Sequence, residues 1–250
     1  MHEFPAGRLA AWATAWLAGR CSYDEALDAV LGDTAHRVTG LPGSDEAVPL
    51  GSALSALRGL GERRLRLVLP VPGDVRGLPA VPGLAAAAVE AGQVAVGERL
   101  ALVPEEAGPE AVQWTAFPLD GVASLPPAAE GTLRAVSGEL DLAVADAART
   151  LAGLGLARWH PEVPALLAGL AKPAAGPHLP ADHDPLAVSV LGRASRLAKV
   201  LDLAMADAPG GAVTHRQAAA RDVALRPLAD AVRSAVGAAF NAVPREPLGR

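Results

Sequence analysis

Aromatic residues make up only 3% of this 250-residue chain, four tryptophans, three phenylalanines and one tyrosine, so its interior must be built from aliphatic and small side chains. The hydrophobic fraction of 51% is ordinary for a globular protein, but it is carried by Ala, Leu and Val, a composition that favours close approach of helices. A single cysteine, Cys21, excludes an intramolecular disulfide framework and fits a reducing compartment. Long apolar runs are also missing. The longest uncharged stretch, Gly77–Val89, has thirteen residues broken by Pro and Gly, short of the roughly 18 to 20 that a membrane helix needs. Leu9–Gly19 follows one basic residue as a signal peptide would, yet it carries two tryptophans, has no small-x-small cleavage site, and Arg20 interrupts what would otherwise resemble a lipoprotein site. The expectation is a cytoplasmic protein that does not enter a membrane.

Lysine is nearly absent, with Lys172 and Lys199 the only two among 22 basic residues. The net charge of -5 and pI near 5.7 argue against a general binder of nucleic acid or anionic lipid, because contacts with phosphates are dominated by cationic charge. The charge is unevenly divided: residues 1 to 126 hold nine basic and fifteen acidic residues, residues 127 to 250 thirteen and twelve. A local basic face in the second half, from Arg193, Arg196, Lys199, Arg216, Arg221, Arg226 and Arg233, is interleaved with Asp202, Asp222 and Asp230, a mixture typical of a solvated face.

What the sequence does hold is helical patterning. Thr132–Leu156 repeats apolar residues at Leu133, Val136, Leu140, Val144, Ala147, Leu151 and Leu154, which predicts a long helix with one stripe to bury. Pro5–Gly19 reads as a first helix. Ser22 with Glu25 three residues on forms a capping box for a second, and a third short helix carries Leu54 and Leu57. Leu65–Leu69, Gln93–Val96, Leu100–Val103 and Ala111–Phe117 read as strands, the middle two joined through Gly97-Glu98-Arg99 as a hairpin, with a short alanine helix over Leu84–Ala91. Asp184-Pro185 starts a helix with Leu186, Val190, Ala194, Leu197, Leu201 and Met205 on one stripe. Leu225, Leu228, Val232, Val236 and Phe240 continue at helical spacing, with Pro227 expected to kink that helix or restart it. The fold class is therefore α+β: an N-terminal half of short helices with a small, about four-stranded, antiparallel or mixed sheet (1–125), and a C-terminal three- to four-helix bundle (126–250).

No catalytic signature emerges. No GxGxxG lies between a strand and a helix, and neither GxxxxGK[ST] nor a GxSxG elbow occurs, so no cofactor and no metal are assigned. The densest polar cluster, His178, Asp182, His183 and Asp184, has groups that could ligate a metal or supply an acid and a base, which makes His178, His183 and Asp182 the candidate catalytic residues; Asp184 is accounted for as a helix cap. His160 lies between two helices as a second conceivable base. His36-Arg37 reads as a loop able to meet a phosphate, and Cys21 at a helix start as a thiol open to activation.

The segments GRLAAWATAWLAG (Gly7–Gly19), HRVTGLPG (His36–Gly43), LVLPVPGDVRGLP (Leu67–Pro79) with AVEAGQVAVG (Ala88–Gly97), and RPLADAVRSAVGAAFNA (Arg226–Ala242) together resemble a conserved protein family of high-GC actinobacteria without assigned activity. That resemblance implies a bacterial cytoplasmic setting and transfers no functional residue. Three readings stand: a non-catalytic binding or interaction protein with a protein partner or as a homo-oligomer, an enzyme or small-ligand binder with a site between the two halves, and a regulator touching nucleic acid through the C-terminal arginines.

Overall fold

The computed structural model describes residues 4–108, 110–119, 132–153, 179–206 and 215–242, and among these it has seven helices and one six-stranded sheet. The chain divides into two compact units: the first holds residues 4–119 with the short segment 179–183, the second the helices from residue 132 onward except that segment.

In the first unit, helices α1 (Pro5–Leu17), α2 (Tyr23–Leu31), α3 (Leu50–Gly59) and α4 (Leu84–Ala91) surround strands β1 (Ala35–Thr39), β2 (Val48–Pro49), β3 (Arg66–Val68), β4 (Val94–Val96), β5 (Leu100–Glu106) and β6 (Ala111–Pro118). The sheet order is β2-β1-β6-β5-β4-β3. Every neighbouring pair is antiparallel except β1 and β6, which run parallel with Ala35 opposite Ala111 and Val38 opposite Trp114. The sheet is thus mixed, as expected, but larger than the four strands expected. The strands read from sequence are β3 to β6. The two additional ones, β1 and β2, were hidden by a charged His-Arg pair and by a length of two residues.

Alternation along the strands sets the two faces of the sheet. Val94, Val96, Ala101 and Val103 point to one face, where Leu84 and Ala88 of α4 close a small aliphatic core with Leu78 and Leu119. Leu100, Leu102 and Ala95 point to the other, against which α1 lies. Close packing is possible because α1 presents mostly alanine: Ala6, Ala10, Ala13 and Ala15 are fully buried beside Leu9, Trp12 and Trp16. The Thr14 hydroxyl donates to the Leu65 carbonyl and accepts from the Leu65 N–H, at 3.1 and 2.9 Å, and Gln93 Oε1 accepts from Ala6 N–H at the start of the helix. Arg58 of α3 stacks 3.7 Å over the Trp16 ring and donates to the Trp16 carbonyl, while Tyr23 of α2 meets the same ring edge-on.

The second unit contains α5 (Leu133–Gly153), α6 (Pro185–Ala206) and α7 (His215–Phe240), with α7 packed against both others. Val136, Leu140 and Ala147 of α5 are buried, as the expected stripe requires. On α6 Val190, Ala194 and Leu201 of the expected stripe are buried, joined by Ala187, Leu191 and Ala198, while Leu186 and Leu197 are half-buried. The α7 helix runs through Pro227 without a break. The helix starts follow their caps: Ser22 Oγ accepts from Glu25 N–H, and Asp184 Oδ1 from Leu186 N–H.

Replacing the fully buried Leu140 by alanine is expected to cost about 2 to 5 kcal/mol, whereas Leu142→Ala, at a side chain that is 68% exposed on the opposite side of the same helix, should change stability by less than about 0.5 kcal/mol; chemical denaturation of both variants checks the burial of α5.

Candidate functional site

Three polar constellations stand in the first unit. The first is centred on Glu62. Helix α3 ends in a Schellman motif, with Gly61 in the left-handed conformation (φ 77°), its N–H bonded to the Arg58 carbonyl, and the Glu62 N–H bonded to the Leu57 carbonyl. This stop aims the Glu62 side chain into the β4–β5 turn, where the residue is 5% exposed. There it accepts three backbone N–H groups, from Glu98 at 2.8 Å, Arg99 at 2.6 Å and Leu100 at 3.0 Å. The carboxylate fills a nest of amides of the kind that elsewhere holds an anionic ligand. Gly97 is required by this arrangement, since a Cβ there would stand 2.3 Å from Glu62 Oε1.

The second is a directional chain through His36. Sequence reading placed His36-Arg37 in a solvated loop; they lie in β1, with His36 buried and Arg37 bonded to the Ala47 carbonyl. Trp114 Nε1 can only donate, so His36 Nδ1, 3.2 Å away, is its acceptor and carries no proton. The proton of the neutral ring is therefore on Nε2, which donates to Thr34 Oγ1 at 2.8 Å, and that hydroxyl donates to the Leu31 carbonyl at 2.8 Å. Burial, reinforced by the nearby Arg8 guanidinium, pushes the His36 pKa down to about 4. Both ring nitrogens are engaged, and the imidazole fills a core position.

The third lies at the α1–α2 turn. Asp182 Oδ2 accepts from Arg20 Nη1 at 2.5 Å, across 162 residues of sequence, and both side chains are partly exposed. Cys21 sits beside them. Its pKa is raised, first by burial and then by Glu25 and Asp182 against the opposing pull of Arg20, the reverse of what an activated thiolate needs. His183 is buried and its backbone N–H donates to the Pro180 carbonyl. His178, His160 and Lys172 lie outside the described residues. Asp184 caps α6. The structure thus ties Asp182 to Arg20 and places Asp182 and His183 together on one short segment of the first unit. Among the described residues no group of three or more His, Cys, Asp or Glu side chains could hold a metal ion.

Glu62 and Trp114 had no place among the candidates read from sequence. Nothing local marks Glu62, because its partners are backbone amides 36 to 38 residues away. The alternating burial of β1, exposed at Ala35 and Arg37 and buried at His36 and Val38, was available in principle, with a histidine standing where an apolar residue is normally expected.

Removing the Glu62 carboxylate with Glu62→Ala should cost about 3 kcal/mol by leaving buried donors unpaired. Gly97→Ala should cost a similar amount by expelling the carboxylate, and the double variant little more than Glu62→Ala alone, a non-additivity measurable by urea unfolding. For His36 the unfolded chain takes up a proton near pH 6.5 and the folded one only near pH 4, so the stabilisation is complete above pH 6.5 and is lost as pH falls toward 4, by about 3 kcal/mol in all. His36→Gln should flatten that part of the pH–stability curve.

Residues 6–131 match the N-terminal domain, and residues 134–237 the C-terminal domain, of Rv1486c-like proteins. Two relatives, uncharacterized protein Rv1486c of Mycobacterium tuberculosis (strain ATCC 25618 / H37Rv) and uncharacterized protein MT1533 of strain CDC 1551 / Oshkosh, are each 32% identical, the similarity covering 96% of this chain and 96% of theirs. No solved structure matches. With both domains matched in order and nearly full-length similarity to a mycobacterial relative, this chain belongs to the Rv1486c-like family, a conserved actinobacterial family whose members named here have no assigned activity.

Proposed function

We propose that this protein is a non-catalytic, cytoplasmic binding protein that acts through its surface. One observation carries the reading: among the described residues, the buried side chains of Glu62 and His36 are saturated by the scaffold. The Glu62 carboxylate is occupied by three backbone amides, and both nitrogens of His36 are occupied by Trp114 and Thr34. A general base needs a free lone pair within reach of a substrate. His36 offers its only lone pair to an indole N–H.

The surface supports the same reading. On the helical unit Leu142 and Val223 are 68% and 65% exposed, each on the side of its helix away from the buried stripe. Of the arginines that would serve a nucleic acid, Arg193 pairs with Asp141 and Arg233 with Asp230, which compensates the charge that phosphates would need. The two halves, matched by separate domains of the family, are read as separate folding units, the first carrying the sheet with four helices and the second three further helices.

A thermal-shift screen against divalent metals, nucleotides and common metabolites, with light scattering on the same sample, tests this proposal. A small ligand at one hundred times its dissociation constant would add about 2.7 kcal/mol, a shift of several degrees. The expected outcome is no such shift, with Leu142→Lys or Val223→Lys altering the scattering mass or the capture of a purified partner. A metal- or nucleotide-dependent shift that disappears in Asp182→Asn or His183→Gln would overturn it in favour of a ligand site at those residues.

A further inference from the structure

We propose that His36 is an acid-operated latch on the β1–β2 edge of the sheet, so that adding one proton to its ring releases that edge while the rest of the unit stays folded. The direction of each hydrogen bond fixes the protonation state of the ring. Trp114 Nε1–H to His36 Nδ1, His36 Nε2–H to Thr34 Oγ1, and Thr34 O–H to the Leu31 carbonyl form a single chain from β6 through β1 to the end of α2. Every donor faces an acceptor only when the ring is neutral with its proton on Nε2. A second proton must go to Nδ1, and there it meets the indole N–H, which has no acceptor to offer. The bond becomes a donor–donor contact in a buried place.

The charged surroundings do not help such a proton. From α1 the Arg8 guanidinium faces the ring and repels it. From α2 the chain reaches the ring only through the Leu31 carbonyl, already taken by Thr34. From β6 it receives only the Trp114 indole. The charged side chain of α3, Arg58, is stacked on Trp16, and Arg37 beside His36 on its own strand points to the opposite face, where it donates to the Ala47 carbonyl. Among the described residues no carboxylate is among the charges that act on the ring.

Release is local because of where the ring sits. Strand β1 is held on one side by β6 and on the other only by the two-residue strand β2, at Arg37 and Val38. Among the described residues β2 is the outermost strand on this side of the sheet. The antiparallel block β3–β6, by contrast, has α1 on one face and α4 on the other and keeps its own anchor in Glu62. Opening the outer piece would bare the β1-facing edge of β6 and the indole of Trp114, an edge ready to pair with another strand.

Hydrogen exchange of the full-length chain between pH 7 and pH 4, corrected for intrinsic rates, tests the latch. Protection of the β1 amides of Arg37 and Val38 should fall by about tenfold for each pH unit between 6.5 and about 4, with protection of Ala101 and Leu102 in β5 unchanged. In His36→Gln the amide can accept from Trp114 and donate to Thr34 but cannot titrate, and the acid dependence of β1 should vanish. Should that variant fail to fold, Trp114→Phe removes the opposing donor instead, and the dependence should shrink in amplitude. Parallel loss of protection in β1 and β5, an unchanged acid dependence in His36→Gln, or an unchanged amplitude in Trp114→Phe would each overturn the proposal.

Discussion

A helix buried on most of its circumference cannot leave its backbone ends or polar side chains to water, and α1 meets that constraint at each point. Its sequence is nearly free of side-chain polarity. The few polar atoms it brings inside are matched: Thr14 exchanges two hydrogen bonds with Leu65 at the entry to β3, and Ala6 N–H is satisfied by Gln93 at the entry to β4. These bonds set the height of the helix over the sheet, and alanines at Ala6, Ala10 and Ala13 set its distance. A core this poor in aromatic volume gains its dispersion energy from close backbone approach, so cavities here would be costly and enlargement equally so.

The scarce large or charged groups are spent on joints between elements. Trp16 receives Arg58 from α3 and Tyr23 from α2, tying three helices through one ring. Glu62 ties the end of α3 to the turn between β4 and β5, and Trp114 with His36 ties β6 to β1. In each case a polar atom enters the interior with its partners already in place, which is the condition under which burying polarity is tolerated. The saturation that makes these joints good structure also leaves them without a free valence for substrate.

Much of the helical architecture could be read from residues because its signals are local. Ser22 with Glu25 and Asp184 with Pro185 mark helix starts that the structure reproduces, and the spacing of Val136, Leu140 and Ala147 announces the buried face of α5. Strands β3 to β6 were equally legible as short β-branched runs between Pro and Gly. What escaped is non-local. His36 behaves as a core residue only because Trp114, 78 positions away, offers it a proton to accept. On α6 the expected Val190, Ala194 and Leu201 are buried, but Ala187 and Ala198 are buried more completely than Leu186 and Leu197 beside them, a preference for small residues that a hydrophobicity pattern does not rank. The candidate cluster at residues 178–184 was legible as composition but not as geometry: the partner of Asp182 is Arg20, near the other end of the chain.

The parallel pairing of β1 with β6 has a consequence for how the chain assembles. Strands β4, β5 and β6 are joined by short connections and can zip as consecutive hairpins, whereas β1 precedes its partner by more than seventy residues and must wait for a large loop to close. On loop-closure entropy alone, the amino-terminal part, though synthesised first, is expected to complete the sheet last. Until then the outer edge of β6 is an open strand in a nascent chain, and the rate at which β1 arrives governs how long that edge is available to the wrong neighbour.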